Sequence, residues 1–241
     1  MSHKWNIASA PGTPLLKRTV GELVAERPGR SRVFQAHGID FCCQSGRALR
    51  EACEHKGVAC ESVVEQLEAD AFEKTAPARN PAELPPHELT DYIVRTHHTF
   101  LRAELPRLHA MSARVARVHG GHTISLIELL EVFQGLYDEL ASHMKEEQVL
   151  FSVVAAMSRV EVSPVDGPIA CMVHEHEDAG AALSRLRELS HEFNPPADAC
   201  NTYRALFAGL QDLELDLHRH IHLENSVLFP AAKALVRGEE R

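Results

Sequence analysis

From residue 87 onward, apolar side chains recur at helical spacing in four long stretches, at about 87–118, 122–158, 167–192 and 197–236. "HGGHT", "RVEVSPVDGP" and "FNPPAD" interrupt them. Four helices of that length on short connections predict an antiparallel four-helix bundle. Between 19 and 72 the apolar runs are shorter and broken by Pro28, Gly29, Gly38, Gly46 and Gly57, which predicts a small domain of several short helices. "EKTAPARNPAELPP", residues 73–86, carries four prolines and reads as a linker. Period-two alternation is essentially absent. The expected fold class is therefore all-α, with a small helical domain at 19–72, a linker at 73–86 and a bundle at 87–241. Fewer than about 60 residues make a marginal core, so the small domain is expected to lean on another element.

The polar residues inside these apolar stripes carry the chemistry. At about 100° per residue, and with His220 as reference, Leu206, Leu210, Leu213, Leu217, Ile221 and Leu228 fall between about −20° and 100°. His220 and Glu224 lie within that arc, whereas His218 and His222 point to the opposite face and are expected at the surface. In "LLEVFQGLYDELASHMKEEQVLF", His143 and Glu147 lie on the stripe of Leu136, Leu140, Leu150 and Phe151, with Glu146 at its edge. In "PIACMVHEHEDAGAAL", His176 aligns with Ile169, Met172 and Leu183 while His174 faces away. On the first long helix the stripe of Val94, Leu101, Leu105 and Leu108 is flanked by both His97 and His98, and the wheel does not choose between them.

Burying an ionised carboxylate without a partner costs several kcal/mol, and six inward polar groups on four helices would all have to pair among themselves. A bundle interior with facing Glu and His side chains is where carboxylate-bridged dinuclear metal sites are built. Nitrogen and oxygen donors suit iron or manganese, and no cysteine falls on these stripes, which argues against structural zinc. Six ligands underfill two octahedral ions and leave positions for a bridge and a small exogenous ligand.

Composition agrees with this reading. The chain has 241 residues, 16 of them histidine and 34 acidic, and a net charge of −9. That balance offers no basic surface for phosphates, so nucleic acid is not expected as a partner. No run approaches the roughly 20 apolar residues needed to span a bilayer, and "MSHKWNIASAPGTPLLK" lacks the apolar middle of a secretory signal. A cytoplasmic location without membrane association is expected. The six cysteines are irregularly spaced and imply no disulfide framework. Cys53, Cys60, Cys171 and Cys200 read as structural, and a buried small hydrophobe is also the default reading of Cys42 and Cys43 in "DFCC".

The C-terminal part resembles a hemerythrin-like domain. The whole chain is similar to the repair-of-iron-centres family, the di-iron proteins known as RIC, YtfE or ScdA. The resemblance runs over about 19–236, through "GIDFCCQSG", "HHTFLRAELPRL", "HMKEEQVLF", "PIACMVHEHEDAG", "PPADACNTYRAL" and "HIHLENSVLFP" in family order. It implies two non-haem iron ions held by His98, His143, His176, His220, Glu224 and one glutamate of "KEE". His98 is taken over His97 for its distance to "LRAELP". His119 also matches a family position, but 21 residues separate it from His98, about 30 Å along a straight helix, and it is left out of the cluster.

Two departures from the family pattern matter. "HMKEE" is one residue shorter, so alignment to "EEQVLF" favours Glu146, while the spacing to His143 and the wheel favour Glu147, which is taken here. Ser152 stands where the family commonly has proline. The resemblance implies repair of iron–sulfur clusters damaged by nitric oxide or peroxide, with the di-iron unit supplying iron. The alternatives are an enzyme that reduces nitric oxide and a module that senses oxygen or nitric oxide. No Gly-x-Gly-x-x-Gly turn is present to hold a nucleotide cofactor, so turnover would need an external reductase. Cys42 and Cys43 become, by the resemblance, a functional pair that accepts iron, contacts the damaged client or donates electrons. Damaged iron–sulfur proteins are the expected partners, and a second copy of the chain is a candidate one.

Overall fold

The computed structural model describes residues 13–27, 30–41, 44–69, 80–157 and 165–237. The described residues are helical apart from loops, turns and an isolated antiparallel bridge between Thr19 and Ala48. The chain divides into two compact units, Met1–Leu84 with Ile221–Val227, and Pro85–His220 with Leu228–Arg241.

The first unit contains α1 (Thr13–Leu16), α2 (Val20–Glu26), α3 (Ser31–Ala36), α4 (Leu49–Lys56) and α5 (Cys60–Ala69). The start of α2 is specified by a capping box: the Thr19 hydroxyl accepts from the Glu22 amide and the Glu22 carboxylate accepts from the Thr19 amide, both at 3.1 Å. Gly57, at φ 68°, ends α4 in the left-handed conformation that a side chain would resist. Val20, Leu23, Phe34, Phe41, Leu49, Cys53, Val63 and Leu67 form the core. That core is small, and the unit takes in the turn Ile221–Val227, where the His222 ring meets the Phe41 ring edge-on at 6.1 Å. The part of the expected linker that is described is ordered: Asn80 donates to the Ala25 carbonyl at 2.8 Å, and Pro81–Glu83 forms a single 3₁₀ turn. Residues 73–79 lie outside the described residues.

Four long helical runs follow, and they make up the second unit except for Ile221–Val227 of the last run, which belongs to the first. The first comprises α6 (Pro86–Ile93), a π-helical turn (Val94–His98) and α7 (Thr99–His119). Then come α8 (Ser125–Met157) and α9 (Asp166–Leu189). The last run comprises α10 (Asn201–Leu223), a second π turn (Glu224–Leu228) and α11 (Phe229–Arg237). Their apolar stripes meet in one core that includes Leu101, Leu105, Leu108, Phe133, Leu136, Leu183, Leu186, Leu206, Phe207 and Leu213. Each such side chain contributes about 1.5–3 kcal/mol on burial, which fixes the stripes inward. Close approach of α7 and α10 depends on Gly209, where a Cβ would stand 2.5 Å from Leu108 Cδ2. Among the described residues no helix is long and apolar enough to cross a membrane.

The two π turns are the local departure from the expected regular helices. A π turn closes i to i+5 and accommodates an extra residue. At the first, the Thr99 amide reaches the Val94 carbonyl, and the Thr99 hydroxyl donates to the same oxygen at 3.2 Å.

Candidate metal centre

The first π turn resolves the ambiguity of "HH". Its extra residue brings two consecutive side chains inward, and His97 and His98 are both buried, at 4% and 0% exposure. They face different partners. His98 Nε2 lies 2.9 Å from Glu147 Oε2, whereas His97 Nδ1 lies 2.9 Å from Asp216 Oδ1.

Four buried side chains, His98, Glu147, His220 and Glu224, bring one ligand atom each within 4.8 Å of one another, and so do His143, Glu147, His176 and Glu224. Glu147 and Glu224 belong to both groups. Within them His143 Nε2 stands 3.0 Å from Glu147 Oε1 and 3.1 Å from His176 Nε2, and His220 Nε2 stands 3.6 Å from Glu147 Oε1. Glu146, one residue away, is exposed. The step from 143 to 147 lies on regular α-helix, and the step from 220 to 224 runs from the last turn of α10 into the first residue of the second π turn, so each histidine and its glutamate project from one face.

The donor atoms fit a bound cation better than they fit one another. His98 Nε2 and both Glu147 oxygens are buried with no hydrogen-bond partner, although nitrogen and oxygen approach to 2.9 Å. Acceptor atoms that converge without hydrogen-bond geometry are aimed at a common point between them, and an uncompensated set of this kind would be strongly unfavourable in an apolar bundle. Burial alone would raise the Glu147 carboxyl. The charge attraction of His220 and the close approach of His143, His220 and His98 outweigh burial and hold it well below the usual carboxylate range.

Outer contacts orient the imidazoles. His143 Nδ1 donates to the Glu175 carboxylate at 2.5 Å, which turns Nε2 toward the group. The His98 ring stacks on Phe151 at 5.9 Å and 15°, the His176 ring on Phe229 at 6.0 Å and 6°, and the His220 ring on His97 at 5.3 Å and 4°. Glu175, Asp216 and the stacking role of His97 escape sequence reasoning. Glu175 and Asp216 look like ordinary solvated acids beside a ligand or one turn from it.

Several expectations need correction. His222 is 3% exposed instead of facing solvent, because the turn that carries it belongs to the first unit and Phe41 covers its ring. Burial pushes its imidazole down to about 4. His218 is half-buried. Cys53 is buried and Cys60 partly so, but Cys171 and Cys200 are exposed and do not fit a buried structural reading. The Cys171 thiol donates to Glu175 at 3.4 Å, and that contact pushes its pKa up. His119 packs against Cys200, 3.3 Å from its sulfur, and against Tyr203, and enters neither group. Cys42 and Cys43 lie outside the described residues.

Comparison with known proteins places these features in a family. The hemerythrin HHE cation binding domain matches residues 89–232, and the N-terminal ScdA domain, described as a domain of unknown function (DUF542), matches 16–71. The chain is 36% identical over 223 residues to the iron-sulfur cluster repair protein YtfE of Pectobacterium carotovorum subsp. carotovorum (strain PC1), covering 92% of this chain and 98% of that one. It is 36% identical over 225 residues to the protein of the same name from Musicola paradisiaca (strain Ech703), again covering 92% and 98%. To the one from Edwardsiella ictaluri (strain 93-146) it is 37% identical over 216 residues, covering 89% and 96%.

Proposed function

The chain belongs to the YtfE family of hemerythrin-like iron–sulfur cluster repair proteins, and from that membership we propose that it holds two iron ions and repairs iron–sulfur clusters damaged by oxidative or nitrosative stress by supplying iron. The observation that carries the reading is the sharing of Glu147 and Glu224 by both His/Glu groups. A carboxylate common to two groups can bridge two ions, and an imidazole pair completes each: His98 and His220 at one, His143 and His176 at the other. Mixed nitrogen and oxygen donors suit iron or manganese, and among the described residues no cysteine enters either buried group, which weighs against a structural zinc site. Iron held this way supplies reversible redox change and open coordination positions.

The protein's part is to keep its donors deprotonated, dry and preorganised. Glu147 is held anionic, His143 is oriented by Glu175, and the stacked rings fix the remaining imidazoles. Iron in the ferrous state would be held less tightly by His98, His143, His176, His220, Glu147 and Glu224, and an external reductant would have to supply the electrons. Cys42 and Cys43 are proposed as the thiols that receive the iron or contact the damaged protein, and a cytoplasmic location follows from such clients.

Anaerobic loading with ferrous iron, followed by metal analysis and visible spectroscopy, tests the centre. Two irons per chain with an oxo-bridge absorption after oxidation are expected, and a single zinc overturns it. Incubating loaded protein with an iron-depleted cluster enzyme tests repair. Restored activity is expected, and no transfer above a free-iron control sinks the donor role. Replacing Cys42 and Cys43 with alanine should leave iron content intact and lower the transfer.

A further inference from the structure

His97 is buried against the centre and supplies no ligand atom to either group. Its ring lies parallel to that of His220, with centroids 5.3 Å apart and planes 4° apart. Its Nδ1 meets Asp216 Oδ1 at 2.9 Å. A carboxylate only accepts, so Nδ1 carries the proton and the tautomer is set. Asp216 and His220 are four residues apart on α10 and project from the same face one turn apart. His97 therefore reaches across from the first π turn, hydrogen-bonds one of them and lays its face on the other. Tyr92 meets the His97 ring edge-on at 6.0 Å and closes its remaining freedom.

The rest of the centre shows what this arrangement does. His98 has Phe151 stacked on it, and His176 has Phe229. His220 has His97 in the same relation. A ring that takes the place of phenylalanine acts through its face, and the remaining nitrogen of His97, Nε2, is buried with no hydrogen-bond partner. Burying a polar atom in that way is unfavourable, so packing alone does not explain the imidazole.

We infer that His97 is a positioning residue that holds the ring plane of the ligand His220 by stacking, with Asp216 setting the orientation of His97 itself. The inference rests on the reading that the two groups hold iron. It makes a site-specific claim, because His220 belongs to one group and not the other. Loss of the stack should loosen one iron of the two.

The test uses full-length protein and its His97→Leu, His97→Phe and Asp216→Leu variants, with His220→Ala as the reference for damage at that group. Each is loaded anaerobically with ferrous iron, and iron per chain, retention against a chelator and the visible spectrum are recorded. Circular dichroism and thermal midpoints of the iron-free proteins track folding. His97→Leu should weaken retention of one iron by about 10–100-fold, the range for outer partners of metal ligands, and shift the spectrum toward that of His220→Ala. His97→Phe keeps a ring face and gives up the Asp216 hydrogen bond, so it should retain clearly more iron than His97→Leu, whereas a residue that merely filled space would be replaced equally well by leucine. If His97→Leu fails to fold, Asp216→Leu makes the same test by releasing the ring, with loss again confined to one iron. Full retention of both irons in His97→Leu, or in Asp216→Leu where that variant stands in, overturns the inference. So does loss in His97→Phe equal to that in His97→Leu, because Nε2 would then be acting as a ligand. Native protein that binds no iron overturns the proposed function itself, before any substitution is compared.

Discussion

The Nε2 of His98 and the Oε2 of Glu147 stand 2.9 Å apart, both fully buried, and do not hydrogen-bond. Two such groups held that close without hydrogen-bond geometry suit a shared cation, and Glu147 stands close to the second group through His143. One carboxylate thus sits at the junction of both groups. Its neighbour Glu146 is exposed on the same helix and takes part in a separate surface cluster with Cys171 and Glu175.

Glu147→Ala should accordingly lower apparent iron affinity by more than about a hundredfold, since even outer partners of a metal ligand are worth 10–100-fold. Glu146→Ala should leave iron content unchanged. Iron per chain after passage over a chelating resin distinguishes them, and the reverse order would hand the bridging role to Glu146.

His222 sets a pH dependence on stability in the iron-free protein. Burial pushes its imidazole down to about 4, while in the unfolded chain it titrates near its ordinary value of 6.5. Below 6.5 the unfolded chain takes up a proton that the folded chain refuses. Its contribution is therefore fully present above about 6.5 and is lost as pH falls toward 4, on the order of 3 kcal/mol in all. Replacing His222 with phenylalanine should flatten the urea-unfolding free energy across that window. An unchanged acid limb would show that His222 becomes protonated without unfolding.

Which parts of this are legible in the sequence follows from the physics of each. His143 and Glu147 lie on regular α-helix, and Glu224 follows α10 directly as the first residue of the second π turn, so a 100° wheel still places each pair together. His97 and His98 sit in a π turn, which has no signature in hydrophobic period and breaks the wheel's premise. His222 departs from expectation for a different reason. A wheel gives direction from the helix axis, and it does not say that Phe41 covers the outward face. Glu175 and Asp216 are invisible to it because a carboxylate that orients an imidazole has the same spacing and exposure pattern as a solvated one. Cys171 and Cys200 fail the buried reading because they fall beside the stripes and not on them.

The end of α9 stores backbone strain in three consecutive left-handed residues, His191 at φ 51°, Glu192 at 60° and Phe193 at 59°. Glu192 is paired with Arg187, and Phe193 is buried beneath the same guanidinium at 4.9 Å. His191 is exposed and is the position where the side chain can be dispensed with. His191→Gly should stabilise the protein by about 0.5–1 kcal/mol, because the left-handed penalty of roughly 1–2 kcal/mol outweighs the added freedom of the unfolded chain. A thermal midpoint about 1–4 °C higher is expected, and a lower one would place the strain elsewhere.

The same reversal is anchored by the Arg187–Glu214 pair, whose carboxylate is 2% exposed and accepts from Nε at 2.9 Å and from a terminal nitrogen. Removing the Glu214 charge leaves Arg187 with Glu192 alone and takes away two charge-assisted hydrogen bonds. Glu214→Gln should therefore cost about 1–3 kcal/mol. Arg187→Met with Glu214→Leu removes both charges and keeps the volume, so the double variant should be markedly more stable than Glu214→Gln. The unbranched thioether side chain introduced there would keep an apolar cover over Phe193 without needing a counter-ion. Denaturant unfolding of the single and double variants measures the coupling. Additive losses would mean that the pair contributes through packing alone and that its charges are screened by water.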